Sequence, residues 1–366
     1  MTWKQHIIIM CTLCLTALMA VSCSKDIAEH APAVQNNTSV GESVTPRRPS
    51  SLFAPGSMER GAGYGYATRA QYCLGTTFRL FNLERLDEIQ QEGPYNFVSD
   101  DFSPYSEEQV LTGDSKSSLN EQLSINAGID VDFLLADINA EADYGKTETS
   151  MSKYSFAMKR TKRIVYVRDL QYQNIIQYYK ATGDSTIFSP GFWSEWKELE
   201  SYNDRNEEIS GNRIREFVNK WGKGFVARSF MGGCMDFTLQ IDTTCLSKDM
   251  NLSFALEASV GFILGAGAEA NTNYQRFERE AHGRYSMEVS VRGGNVALVA
   301  TMMNGMHPEP GNITAWLESL NLTPESSEQD FARCTMVDMK IASMANLFTG
   351  RVRDKINYVL NTGDSI

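Results

Sequence analysis

The stretch that decides the fold is Gly211–Gly233, GNRIREFVNKWGKGFVARSFMGG. Ile214, Phe217, Val218 and Trp221 fall at i, i+3, i+4 and i+7, which is the spacing of one apolar helical face. Asn212 is placed to cap the start of that helix, and Gly222 to end it with a left-handed residue. Phe225–Met231 then reads as an extended run leading into Gly232-Gly233. Glycine weakens a strand, so a pair inside one marks a bend, a bulge or a close backbone approach. The stretch predicts helix, stop, strand and fold-over, in that order.

Two long segments flank it. In Leu119–Gly145, Leu123, Ile125, Ala127, Ile129, Val131, Phe133 and Leu135 are apolar at odd positions, and Ile138, Ala140, Ala142 and Tyr144 continue on the even ones. In Asn251–Asn271, Leu252, Phe254, Leu256, Ala258, Val260, Phe262, Leu264, Ala266, Ala268 and Ala270 alternate with mostly small or polar residues. As one strand, the second run would span roughly 65 Å at about 3.4 Å per residue, far beyond the usual strand of about 5–6 residues. Three readings stay open: half-buried strands of a globular sheet, hairpins of a membrane barrel with alternate faces to lipid and lumen, or helices, since Ala, Leu and Glu favour them. In the barrel reading Asp130, Asp132, Glu141, Asp143, Glu257 and Glu269 would line an acidic, cation-preferring lumen.

Trp221, Gly222, Phe225, Gly232 and Gly233 resemble the signature of the MACPF (membrane attack complex/perforin) family: aromatic-Gly-Thr-His-aromatic, a strand, then Gly-Gly. Lys223 and Gly224 stand where that family has Thr and His. Downstream, Gly293, Gly294, Trp316, Ser319 and Pro324 match a second family pattern, and Gly61–Cys73 (GAGYGYATRAQYC) resembles the glycine- and tyrosine-rich opening of the domain. The resemblance implies an α+β fold, a bent and twisted central antiparallel sheet flanked by two helical clusters. In that family the clusters refold into transmembrane β-hairpins, and Leu119–Gly145 and Asn251–Asn271 occupy the matching places. It further implies a homo-oligomer on the target-cell membrane, with an outer-membrane protein or glycan as receptor. The chain is also similar to the secreted antimicrobial MACPF proteins of Bacteroidales, which implies an antibacterial toxin. The alternative is a non-lytic surface lipoprotein using the same fold for adhesion or host interaction.

Residues 1–23 read as a signal peptide: Lys4, an apolar run Ile7–Val21, then Ala20–Cys23 (AVSC), which resembles a lipobox with Cys23 as the lipidated residue. Cleavage by an ordinary signal peptidase stays open. Residues 24–60 are polar and read as a disordered tether, 61–345 as the MACPF domain, and 346–366 as a C-terminal helix or tail. The expected location is secreted or on the outer-membrane surface, with release in vesicles as a further route. Cys73, Cys234, Cys245 and Cys334 remain in an oxidising compartment as disulfide candidates, with three possible pairings, Cys234–Cys245 favoured as a hairpin closure, and buried free thiols as the alternative.

The 366 residues carry a net charge of −11, which excludes nucleic acid as a natural partner and argues for a protein or glycan receptor over bare anionic lipid. No Gly-x-Ser-x-Gly, phosphate loop or metal-spaced His pair is present, so no catalysis, cofactor or metal is expected. Arg-Leu-Phe-Asn-Leu-Glu-Arg-Leu-Asp-Glu-Ile (Arg79–Ile89) reads as a strand or short helix, and Pro94–Lys116 as polar loop. Met158–Tyr166 (MKRTKRIVY) is a basic cluster expected at a solvated strand end, with a face toward lipid headgroups as the alternative, and Trp193 and Trp196 are expected in the core, with anchoring at a membrane interface as the alternative. Asp184-Ser185-Thr186, Asp242-Thr243-Thr244 and Asp364-Ser365-Ile366 resemble Bacteroides O-glycosylation sites.

Overall fold

A computed structural model describes residues 61–67, 73, 76–126, 153–247, 250–295, 297–298 and 310–362. In chain order the elements are β1 (Tyr64–Tyr66), β2 (Thr76–Arg79), α1 (Leu83–Glu92), β3 (Val98–Asp101), β4 (Tyr105–Gly113), α2 (Lys116–Asn126), β5 (Tyr154–Leu170), α3 (Tyr172–Thr182), α4 (Pro190–Arg205), α5 (Gly211–Trp221), β6 (Gly224–Asp242), α6 (Leu252–Ile263), α7 (Ala268–Ala281), β7 (Tyr285–Arg292), α8 (Pro310–Glu318), α9 (Glu328–Phe331), β8 (Thr335–Ser343) and α10 (Gly350–Thr362).

The spine is the antiparallel pair β5–β6, matched from Tyr154↔Asp242 to Asp169↔Arg228. The outer side of β5 carries β4 along Phe156–Ile164 and β3 along Val167–Leu170. The outer side of β6 carries β8 along Gly224–Gly232 and β7 along Cys234–Ile241. Both sides thus change partner at one level. There Phe102–Pro104 separate β3 from β4, the register of β5 slips between Ile164 and Tyr166, and Gly232-Gly233 sit in β6. This level is the fold line of the sheet. A bulge raises local twist and bends its strand, and here one stands directly beside the glycine pair.

Two hydrophobic cores pack against the sheet; the first lies above that line, and the second lies mostly below it and reaches across it to Val226, Met336 and Met339. One collects Phe81, Phe188, Phe192, Trp196, Phe217, Trp221 and Phe225 with Val352, Ile356 and Leu360 of α10. The other collects Leu239 and Ile241 of β6 with Leu256, Val260 and Phe277 of α6 and α7, and with Trp316 and Leu320.

Several expectations need correction. Pro94–Lys116 is not loop: β3 and β4 lie inside it, their many polar side chains belonging to an edge of the sheet. The cap of α5 is Ser210, whose hydroxyl accepts from the Arg213 amide at 3.3 Å, not Asn212. Gly222 ends the helix at φ 107°, ψ 154°, a positive-φ extended conformation rather than the left-handed helical one. The Met158–Tyr166 cluster is no solvated strand end. It lies in mid-β5, where Arg160 and Lys162 are buried. Cys73, Cys234, Cys245 and Cys334 are all free and buried, as the thiol alternative held. Cys234 and Cys245 cannot close a hairpin, because the chain from Cys234 to Asp242 runs on along β6 without a turn, roughly 27 Å at about 3.4 Å per residue step. Trp196 is buried and donates Nε1–H to the Leu347 carbonyl at 2.9 Å, and Trp193 stacks against it.

Candidate functional site

Four glycines make the fold line possible. A Cβ on Gly232 would stand 1.9 Å from the Arg163 carbonyl oxygen of β5, and one on Gly293 would stand 2.2 Å from the Gly232 carbonyl oxygen. Gly233 has room only for hydrogen, with the Leu320 and Trp316 side chains 2.5 and 2.9 Å from where its Cβ would lie. Gly293 and Gly294 both hold φ +71°, a conformation glycine adopts without steric cost.

Trp316 and Ser319 lock this crossing. Trp316 is 1% exposed and donates Nε1–H to the Gly293 carbonyl at 2.8 Å. The Ser319 hydroxyl donates to the Trp316 carbonyl at 2.6 Å and accepts from the Asn295 amide at 2.9 Å. The Gly294 amide donates to the Arg333 carbonyl at 2.9 Å, which ties the end of β7 to the approach to β8. Six of the nine signature residues, Gly232, Gly233, Gly293, Gly294, Trp316 and Ser319, therefore meet at one place.

The other three meet elsewhere. Trp221, Gly222 and Phe225 form the turn into β6, against the opening segment of the domain. A Cβ on Gly65 would fall 1.7 Å from the Trp221 carbonyl, which accepts from Thr77 Oγ1 at 2.7 Å. A Cβ on Gly222 would meet the backbone of Tyr66 at 2.6 Å. Phe225 pairs with Gly65 in register and packs on Phe81 and Tyr172.

Two cassettes leave the sheet below the fold line, one between β4 and β5 and one between β6 and β7. The second is a helical hairpin. Asn251 caps α6 by accepting from the Phe254 amide at 2.8 Å. Leu256 and Val260 are buried, Leu252, Phe254 and Leu264 are half-buried against the same core, and Phe262 stacks on Tyr274 at 4.0 Å. Gly261 allows close contact of α6 with α7, since a Cβ there would lie 3.2 Å from that of Ala270. Of the first cassette, α2 holds Leu123, which is buried, and Ile125, which is 39% exposed. Ile129, Val131, Phe133 and Leu135 lie outside the described residues, as do Cys23 and the Asp364 tripeptide.

The cassettes share a base. Asp242, the last residue of β6, accepts from the Thr244 amide and hydroxyl at 3.0 and 2.7 Å, and its carboxylate lies 3.2 Å from the Lys153 ammonium. The Thr243 amide donates to the Lys153 carbonyl at 2.8 Å, and the Asp242 amide to the Arg284 carbonyl at 3.0 Å. The exit of the first cassette and both ends of the second are thus bound in one knot. Those hydrogen bonds, with Lys153, hold the Asp242 carboxyl down at about 2.

A sequence model of the MAC/Perforin domain matches residues 92–328, more than half of the chain. The chain is a MAC/Perforin protein. The structure of GNIP1Aa from Chromobacterium piscinae is similar to this MAC/Perforin chain at 12% identity and a TM-score of 0.54, over 84% of this chain and 56% of that one. A MAC/Perforin-domain protein of Bacteroides thetaiotaomicron is similar at 12% identity and a TM-score of 0.50, over 83% and 59%. At such identity the likeness is one of fold, and the chain spans less than two thirds of either relative's length. No curated protein matches the sequence. The fold is the one the resemblance implied: a large antiparallel sheet with helices, as in its MAC/Perforin neighbours. No described helix is long and apolar enough to cross a membrane, and no described group of three or more His, Cys, Asp or Glu is placed to hold a metal.

Sequence reading missed the partners of the basic cluster. Arg160 meets Asp236 through two hydrogen bonds of 2.6 Å, Lys162 meets Glu107 at 2.8 Å and also Asp338, and Lys159 meets Glu108 at 3.0 Å. The acids come from three other strands, so their only local trace is the Glu107-Glu108 pair in an otherwise polar run.

Proposed function

We propose that this chain is an exported pore-forming protein, an antibacterial toxin acting on related bacteria. Residues 1–23 direct export, with Cys23 as a lipid anchor on the outer-membrane surface. Monomers dock on an outer-membrane protein or glycan and associate side by side. The sheet opens at Gly232-Gly233, and each cassette refolds into two strands. Barrel closure then leaves no backbone group unpaired in lipid.

The observation that carries this reading is the second cassette. Asn251–Asn271 forms α6, a turn and the first residues of α7 in the folded chain, yet its apolar residues alternate with period two, a pattern of no use to a helix. As a helix it buries Ala255 and Ser259 from one parity and Leu256, Ala258 and Val260 from the other. As a strand it would present Leu252, Phe254, Leu256, Val260, Phe262 and Leu264 on one face, the face a barrel turns to lipid. One sequence that serves two structures is what a refolding segment needs.

The test uses protein from Ser24 onward, shown to be folded, in spot-overlay killing and dye entry on a panel of related bacteria. Killing of some strains with dye entry is the expected result. Lys223 and Gly224 in place of Thr and His favour one competitor, a non-lytic adhesin. Binding to cells without killing or dye entry would establish that instead.

A further inference from the structure

Ion pairs across the sheet are of two kinds. Arg160–Asp236, Arg168–Asp100, Arg228–Asp169 and Lys162–Glu107 each join residues directly opposite one another in register. Lys159–Glu108 is offset by two residues but still joins adjacent strands, whereas Lys162–Asp338 joins β5 to β8 across β6. Lys162 lies beside Cys234 on one side of β6, and Asp338 beside Phe230 on the other. The fold line at Gly232-Gly233 runs between those two levels.

Geometry makes this contact diagnostic. In a flat sheet the two Cα atoms would be about 17 Å apart, from about 3.4 Å per residue along β6 and about 4.8 Å between strands. An extended lysine, an aspartate and the hydrogen bond between them span only roughly 13 Å, with bonds of about 1.5 Å. The contact closes because the sheet is folded, and it lies on the inner side of the fold. Flattening the sheet must break it, while the four in-register pairs survive.

Lys162 is also held charged in a place that should discourage it. Its side chain is 7% exposed, and burial alone would lower its pKa, but Asp338 and Glu107 outweigh burial and hold it above the ordinary value. The pair forms part of the wall of a half-open cleft of about 630 Å³, which Leu123 and Asn126 of α2 also line. Water therefore reaches the lysine once the aspartate leaves, so release costs less than it would in a sealed core.

We propose that Lys162 is a positioning residue for opening. It belongs with Glu107 to the lower half of the sheet and straps β8 of the upper half through Asp338, holding the sheet folded until assembly. The consequence for pores rests on the pore-forming reading; the strap itself does not. The two carboxylates give the test its contrast, since one lysine holds both and only Asp338 lies across the line.

Cysteines introduced at Phe78 and Val110, exposed on opposite sides of the line, take spin labels while the buried native thiols stay unlabelled. Dipolar distance measurement should show a second, longer population in Asp338→Asn and not in Glu107→Gln. Lys162→Arg should keep the single short distance. Dye release by Asp338→Asn should be several-fold faster than wild type, and by Glu107→Gln unchanged. If Asp338→Asn does not fold, the apolar pair Lys162→Met with Asp338→Leu replaces it, with the same expected distances. Equal distances for Asp338→Asn and Glu107→Gln, with or without a drop in thermal stability, would overturn the strap. A wild type that releases no dye would overturn the pore reading and leave the distance comparison standing.

Discussion

The two cores differ in what holds them. The upper one is an aromatic block in which Phe192 alone packs against Phe81, Phe188, Phe217 and Trp221, at ring separations between 5.3 and 6.5 Å. The lower one is closed by α6 and α7, whose contacts include Ala, Ser and Gly positions and half-buried residues such as Phe254 and Phe262. A side chain buried on all sides resists removal; one half exposed gives up little when it goes. The difference separates a densely packed part of the molecule from a loosely packed one, and under the pore-forming proposal the loose part is the one that leaves.

The largest effects are expected on the boundary between the two. Gly293→Ala should cost about 4 kcal/mol or more, since the new methyl meets the backbone of Gly232 and Gly233. Gly183 has the same φ of +71° with nothing within 4 Å, so Gly183→Ala should cost only about 1–2 kcal/mol. Urea unfolding of the two variants separates close approach from backbone conformation. Equal costs would mean that the crossing of β6 and the end of β7 is no tight joint.

Next in size is a matched pair of deletions. Phe192→Ala, in the aromatic block, should cost about 3–5 kcal/mol. Phe262→Ala should cost no more than about 1–2 kcal/mol, chiefly its stack on Tyr274. Denaturant midpoints decide, and equal losses would erase the distinction drawn between the cores. Phe254→Asp sharpens it further. Phe254 is only half-buried in the helix, so the variant should fold with a loss near 1 kcal/mol. In a barrel the same carboxylate would face lipid in every subunit at about 2 kcal/mol each, so dye release should fall at least tenfold. Retained release would show that this segment never enters the membrane.

These contrasts also show how far the sequence could be read. The helix-stop-strand order of Gly211–Gly233 was legible because each step has a local cause: a 3.6-residue apolar period, a glycine stop and a paired glycine. Gly293, Gly294, Trp316 and Ser319 were legible as a pattern, but their meeting with Gly232 comes from β7 and β8 sharing one side of β6, which no local spacing encodes. Pro94–Lys116 misled because β4 is an edge strand whose polar residues carry no alternation. Arg160 and Lys162 misled because their acids lie on β4, β6 and β8, and a buried charge looks like a solvated one until its partner is known. Asn251–Asn271 was ambiguous in the sequence because it is ambiguous in fact: period two and helix propensity coexist in the same residues.

The smallest expected effect compares one local motif in both regions. Asp184 and Asp242 each cap a short 3₁₀ turn and accept from the amide and hydroxyl of the threonine two residues on. Asp184 sits beside the aromatic block, where burial would raise its pKa but Thr186 and then Arg85 outweigh it and bring it below 3.8. Asp242 knots the base of both cassettes, and its carboxyl is lowered from 3.8 to about 2. A carboxyl whose pKa is lower folded than unfolded contributes stability that is complete above the unfolded value and is lost as pH falls through the folded one. The contribution of Asp242 should therefore fade between about pH 4 and pH 2. Hydrogen exchange at neutral pH should show faster opening of α6 and α7 in Asp242→Asn and no change there in Asp184→Asn. On acidification toward pH 2 wild type should approach Asp242→Asn, because both then lack the charge. If Asp184→Asn loosens α6 and α7 as much as Asp242→Asn does, the knot at the cassette base is an ordinary turn, and the lower core is kept closed by its apolar contacts alone.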